Sequence, residues 1–128
     1  MTSLDVSPAA RRVLVVEDEI MIRMLLEDML DDLGFKVALS AGRLDEAIAH
    51  ARDGAFDVAI LDVNLDGDLV FPVADVLAAR GLPFAFSTGY GDGGMPDTYR
   101  DRPTLQKPFQ LAGLEKALAE LLSTAEKA

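Results

Sequence analysis

Apolar residues fall along this chain in two alternating patterns, short unbroken runs and stretches that recur every three or four positions. Val13-Leu14-Val15-Val16 is short, rich in β-branched residues and followed by acids, which predicts a strand buried on both faces. Ile22, Leu25, Leu26, Met29, Leu30 and Leu33 then recur at helical spacing, and Gly34 supplies the stop expected after a helix C-terminus. Lys36 to Ser40 predicts a second strand, and Leu44, Ala47, Ile48 and Ala51 a short amphipathic helix that closes at the Asp53-Gly54 turn signal. Val58 to Leu61 is the third strand, followed by a loop holding Asp66-Gly67. Val70, Val73, Ala74 and Leu77 mark a helix in which Pro72 fits only in the first turn, and Gly81 ends it. Phe84 to Ser87 predicts a fourth strand, Thr104 to Gln106 a brief fifth, and Leu111, Leu114, Leu118, Leu121 and Leu122 a closing helix.

Strands that alternate with helices at this spacing predict an α/β fold: a doubly wound, five-stranded parallel sheet covered on both faces, with right-handed crossovers. The 128 residues fit one domain, and a chain of this length buries roughly two thirds of its unfolded surface. The expected division is an N-terminal arm over 1–11, the domain over 12–123 and a C-terminal tail over 124–128. One stretch breaks the alternation. Between Gly89 and Arg102 the sequence Tyr90-Gly-Asp-Gly-Gly-Met-Pro-Asp97 is poor helix material, so the fourth helix is expected to be reduced to a loop or short turn, or to be absent.

Composition narrows the chemistry. With no cysteine, disulfides, thiol catalysis and thiolate metal sites are excluded together, and carboxylates and carbonyls remain to bind a hard cation. Twelve basic against twenty-two acidic residues give a net charge of −10, which repels a phosphate backbone and argues against direct nucleic-acid binding. No apolar run approaches the roughly 18 residues that span a bilayer, and MTSLDVSPAARR lacks the apolar segment of a secretion signal. A cytoplasmic location and no membrane association are therefore expected.

In an open parallel sheet, ligands bind beyond the carboxyl ends of the strands. The residues there are Glu17 and Asp18 after strand one, Asp62 after strand three, Thr88 after strand four, and Lys107 before Pro108 after strand five. Three carboxylates in one cleft persist in ionised form only if a cation or an ammonium compensates them. Mg²⁺ suits such an oxygen set, and Lys107 supplies a point charge. A carboxylate so placed can attack phosphorus to give an acyl phosphate, provided the charge on the equatorial oxygens is neutralised. The single histidine, His50, falls late in the second helix and is not a candidate for phosphotransfer.

This order of residues resembles the receiver domain of two-component response regulators: an acidic pair after strand one, Asp after strand three, Thr or Ser after strand four, and Lys-Pro after strand five. The resemblance covers nearly the whole chain and implies a flavodoxin-like receiver fold. It implies that Asp62 is the phosphoacceptor and a metal ligand, that Asp18 binds Mg²⁺ directly and Glu17 mainly through water, and that Asn64 contributes its backbone carbonyl. Thr88 and Lys107 would contact the phosphoryl group. A histidine kinase would donate it, and the chain would act as a single-domain regulator, a monomer or weak homodimer, on an unidentified downstream protein, or serve as a phosphate sink or relay. The only reactions expected of it are phosphoryl transfer to its own Asp62 and the loss of that group.

Phe86-Ser87-Thr88-Gly89-Tyr90 is similar to the Phe-Ala-Thr-Gly motif of a subgroup frequent in alphaproteobacteria with a reduced fourth helix, though Ser87 replaces the alanine. Thr104 stands where many receivers carry an aromatic switch residue, and Asp66 where they carry a proline. Phosphorylation is expected to draw Thr88 toward Asp62 and to order the Gly89 to Arg102 segment, with Tyr90 covering the site. Two other readings compete. A haloacid-dehalogenase-like phosphatase needs a second Asp two residues after its nucleophile, and this chain has Asn64 there. A flavodoxin-like cofactor binder would wrap its ligand with Thr88 to Gly94, but that loop follows strand four rather than strand one.

Overall fold

The computed structural model describes residues 11–89 and 96–127, with side chains described as far as Ser123. Strands β1 (Arg12–Val16), β2 (Lys36–Ala41), β3 (Val58–Asp62), β4 (Phe84–Thr88) and β5 (Thr104–Gln106) form one parallel sheet in the order β2-β1-β3-β4-β5. Helices α1 (Ile20–Asp32), α2 (Leu44–Asp53), α3 (Phe71–Arg80) and α4 (Leu111–Lys127) cover it. The strand order reverses between β1 and β3, which places a crevice at their carboxyl ends. α4 continues past position 123 because the residues there include the good helix formers Ala125, Glu126 and Lys127.

Period-two alternation divides the core. Leu14, Val16, Ala59, Leu61, Phe84 and Phe86 face α2 and α3, where they meet Ala47, Ala51, Val73, Ala74 and Leu77. Val13, Val15, Val58, Ile60 and Ala85 face α1 and α4, against Leu26, Leu30, Leu114 and Leu118. Both faces are dry, which is why the strands read as unbroken apolar runs. Pro72 falls in the first turn of α3, where its missing N–H leaves no bond unmade. Gly81 closes that helix in the left-handed region at φ 73°, a conformation that a Cβ disfavours. Arg80 braces α3 against α2: its guanidinium donates to the carbonyls of Ala51 at 2.7 Å and Gly54 at 3.1 Å, and sits over the Phe56 ring.

The loop expected after β3 is a miniature hairpin. Asn64 pairs with Leu69 and Leu65 with Asp68 in antiparallel register, and the two turn residues Asp66 and Gly67 have φ of 51° and 96°. Positive φ at both positions is the I′ geometry that Asp-Gly favours. The same geometry explains the missing proline, since a pyrrolidine ring holds φ near −65° and cannot occupy position 66.

Between β4 and β5 the described residues contain no α-helix, only the 3₁₀ turn Asp97–Tyr99. Residues 90–95, and with them Tyr90, lie outside the described residues. Tyr99 takes over part of the packing a helix would supply: its ring stacks on Phe71 and meets Phe84 and Phe86 at tilted or edge angles, with centroids 5.6–6.2 Å away. Arg102 lies over Phe84 on the same side, 4.2 Å from the ring centroid. Among the described residues no helix is long and apolar enough to cross a membrane.

Candidate functional site

Strand register brings the predicted residues to one end of the sheet. Val16 pairs with Leu61, Asp62 with Ser87 and Thr88 with Gln106, and the Lys107 N–H donates to the Thr88 carbonyl at 2.9 Å. Alternation then decides which side chains meet. Glu17, Asp62 and Lys107 continue the rows of Val15, Ile60 and Leu105, residues of the α1–α4 face. Thr88 continues the row of Phe84 and Phe86 on the opposite face and reaches the same cleft over the end of the sheet. The Lys107–Pro108 peptide is cis.

Glu17 and Asp62 are almost fully buried, at 1% and 5% exposure, and Asp18 is half-buried. One oxygen from each of these three carboxylates lies within 4.8 Å of the others. Two unit charges at that spacing repel by about 3.5 kcal/mol at an effective dielectric constant of about 20. Lys107 offsets part of this repulsion, with its Nζ 2.9 Å from Glu17 Oε1 and 3.4 Å from Asp62 Oδ2. Glu17 Oε2 accepts from the Glu19 N–H at 3.1 Å, and Asp62 Oδ1 accepts weakly from the Asn64 N–H at 3.4 Å. Glu17 Oε1 is buried with no aligned hydrogen-bond donor, so its stabilisation comes from the charge of the Lys107 ammonium rather than from a directed bond.

One ammonium does not neutralise three carboxylates. Burial, and then the negative charge of Glu17, push the Asp62 carboxyl up to about 7, with Lys107 opposing the shift. Burial pulls the Lys107 amine down, but the adjacent carboxylates of Glu17 and Asp62 outweigh it, so Lys107 stays above the ordinary lysine range. A buried oxygen-only donor set with excess negative charge and an oxygen lacking an aligned donor fits a hard divalent cation.

The cleft above the cluster, about 590 Å³ in volume, is lined by Asp18, Asp62, Asn64, Leu69, Thr88 and Lys107 among others. The hairpin matters for Asn64. Val70 donates to the Val63 carbonyl, so by antiparallel alternation the neighbouring Asn64–Leu69 pair is the non-hydrogen-bonded one. The Asn64 carbonyl is therefore outside the ladder, while its side-chain oxygen is taken by the Gly67 N–H at 2.7 Å.

Glu17, Asp18, Asp62, Asn64, Thr88 and Lys107 thus meet at one end of the sheet, whereas His50 sits in the last turn of α2 and lines a separate groove with Arg12 and Asp53. Sequence reasoning passed over Tyr99 and its partner Asp75. The available signal was a single aromatic residue in the otherwise polar stretch 96–102.

The response regulator receiver domain family matches residues 13–119. The transcriptional regulatory protein PdtaR of Mycobacterium tuberculosis is 31% identical over 112 residues, covering 84% of this chain and 55% of that protein. The chain thus spans about half the length of the curated relative. Among solved structures, the solution structure of SdrG from Sphingomonas melonis superposes with a TM-score of 0.81 at 47% identity, over 91% of this chain and 99% of that one. The receiver domain of PhyR from Erythrobacter litoralis gives 0.75 at 28% identity, over 89% and 91%. With a family match across most of its length and this acidic cleft at the sheet's switch point, the chain belongs to the response regulator receiver domains of two-component signalling.

Proposed function

We propose that Asp62 accepts a phosphoryl group from a histidine kinase in a Mg²⁺-dependent reaction, and that the modified chain signals through protein contacts or passes the group on as a sink or relay. The observation that carries this reading is the geometry around Asp62: a buried carboxylate 3.4 Å from an ammonium, open to a cleft and flanked by two further acids. In the transfer an Asp62 carboxylate oxygen forms a bond to phosphorus as the phosphorus–nitrogen bond of phosphohistidine breaks. The electron pair stays on the imidazole, which takes up a proton. Bound Mg²⁺, held by Asp18, Asp62, the Asn64 carbonyl and, through water, Glu17, would offset the charge of the carboxylates and the phosphoryl oxygens.

The chain's own residues do the rest. Lys107 holds a positive charge beside Asp62 and faces the incoming oxygens. Thr88 offers a hydroxyl from the opposite face of the sheet. Asn64 occupies the position where a phosphatase of this general fold needs an acid to protonate a leaving group, so the acyl phosphate is a signal rather than a step in turnover. Ile20, Met21, Met24 and Leu25 are exposed at the start of α1, three residues beyond Glu17, and provide an apolar surface beside the cleft for the donor protein.

Incubation with acetyl phosphate and Mg²⁺, followed by intact mass measurement, tests the reading. The native chain should gain one acid-sensitive, base-labile phosphoryl group and Asp62→Asn none. An equal, acid-stable adduct on both overturns the assignment. That the BeF₃-activated conformation of SdrG, 48% identical, has been solved makes beryllofluoride a suitable second probe.

A further inference from the structure

Of the large apolar side chains exposed among the described residues, Leu69 alone lines the cleft above Asp62, in company with Thr88, Gly89 and Lys107. It is 53% exposed, and the hairpin puts it there. Asn64 and Leu69 are the non-hydrogen-bonded pair beside the turn, so their side chains leave the ribbon on one face, with Cβ atoms about 4.5–5.5 Å apart. Asn64 follows Asp62 by two positions, but its side chain is turned back on the hairpin. Its Oδ1 accepts from the Gly67 N–H at 2.7 Å, which commits that oxygen to the turn rather than to a water in the cleft. The side chain that the pair presents to the cleft without a polar tie is therefore Leu69.

We propose that Leu69 is a specificity-determining residue at this site: it covers the phosphoryl group on the side from which water must come, and so favours gain of the group from histidine over its loss to water. The inference rests on the receiver reading of Asp62. In the loss, a water oxygen forms a bond to phosphorus in line with the bond from phosphorus to the Asp62 oxygen. That bond breaks, its electron pair returns to the carboxylate, and one proton of the water passes to solvent. Asp62 is at the floor of the cleft, at 5% exposure, so the line of attack runs outward through phosphorus to the mouth. Lys107 and Thr88 serve the phosphoryl oxygens beside that line. Leu69 presents hydrocarbon at the mouth and has no atom that could orient a water or take its proton, and an apolar group that displaces water suppresses hydrolysis of a reactive intermediate. The imidazole of a donor leaves along the same line, but its ring packs against an isobutyl group, where a water finds no hydrogen-bond partner.

The native chain, Leu69→Met, Leu69→Ala and Leu69→Asn are loaded with acetyl phosphate and Mg²⁺, freed of donor by desalting into ¹⁸O-labelled water, and followed by intact mass. Loss of the phosphoryl group should be as slow in Leu69→Met, which keeps the bulk, as in the native chain. It should be severalfold faster in Leu69→Ala and fastest in Leu69→Asn, which supplies a hydrogen-bonding group at the mouth. The released phosphate should carry one ¹⁸O atom, the mark of attack at phosphorus. Mg²⁺ affinity by calorimetry should be the same in every variant, because the Leu69 side chain offers no ligand atom. Equal rates of loss in the native chain, Leu69→Ala and Leu69→Asn overturn the proposal and leave the receiver reading standing. Faster loss accompanied by weaker Mg²⁺ binding overturns it too, since the effect then belongs to the hairpin and not to the side chain. A native chain that takes up no phosphoryl group removes the receiver reading and the proposal together.

Discussion

Asp62→Asn should make the metal-free protein more stable at pH 8 and leave it unchanged at pH 4. In the native chain, burial and the adjacent Glu17 raise the Asp62 carboxyl to about 7, whereas an unfolded aspartate titrates near 3.9. Between those values the folded chain keeps a proton that the unfolded chain has released. Each upward step in pH therefore favours unfolding: the stability associated with this group is fully present below about pH 4 and is lost as pH rises through about 7. At 1.36 kcal/mol per pH unit the limit is about 4 kcal/mol. Water in the open cleft and relaxation of Lys107 reduce this to about 2–4 kcal/mol. Asparagine keeps the shape without the charge, so its variant lacks this slope. Urea unfolding in EDTA at half-unit intervals from pH 4 to pH 8 measures it. Saturating Mg²⁺ should restore the native chain at pH 8, by about 2.7 kcal/mol at a hundred times the dissociation constant. A native stability that is flat across this range, or an Asp62→Asn variant no more stable than native at pH 8 without divalent ions, refutes the reasoning.

Four further substitutions test individual contacts and backbone angles. Lys107→Met leaves Glu17 Oε1 without the charge it meets at 2.9 Å, and the rate of phosphoryl uptake from acetyl phosphate should fall about tenfold or more; an unchanged rate by intact mass refutes the role of Lys107. Arg80→Ala removes the two bonds to the Ala51 and Gly54 carbonyls and the stacking on Phe56, at a cost of about 2 kcal/mol in urea unfolding, with no effect on phosphoryl uptake. Gly67→Ala meets no atom within 4 Å but must adopt φ 96°, so the loss should be about 1 kcal/mol of backbone origin; Asp66→Pro, which cannot reach φ 51°, should disrupt the hairpin and weaken Mg²⁺ binding as seen by calorimetry.

Much of the fold was legible because its signals are local. The run Val13–Val16 is apolar at every position, as a strand covered on both faces must be, and the heptad-like spacing from Ile22 to Leu33 can bury only one helical face. The Asp66-Gly67 pair falls within the loop expected after the third strand, although Asp-Gly is a strong two-residue hairpin signal. The flanking strand segments are only two residues long each, too short for alternation to register.

The sequence by itself determined which residues end each strand, and so which side chains could reach the crevice: Glu17, Asp18, Asp62, Thr88 and Lys107. Position after an apolar run is a one-dimensional property, and in a parallel sheet every strand delivers its next residue to the same end. Only the tertiary structure decided that Glu17, Asp62 and Lys107 share one face while Thr88 arrives from the other, because that depends on register between strands distant in the chain. It alone showed that Glu17 is buried and raises the Asp62 carboxyl, since desolvation is set by everything packed around a group. It alone joined Tyr99 to Asp75, a pair related by no period or motif, brought together where the Tyr99 ring packs on Phe71 of α3 and on Phe84 and Phe86 of β4.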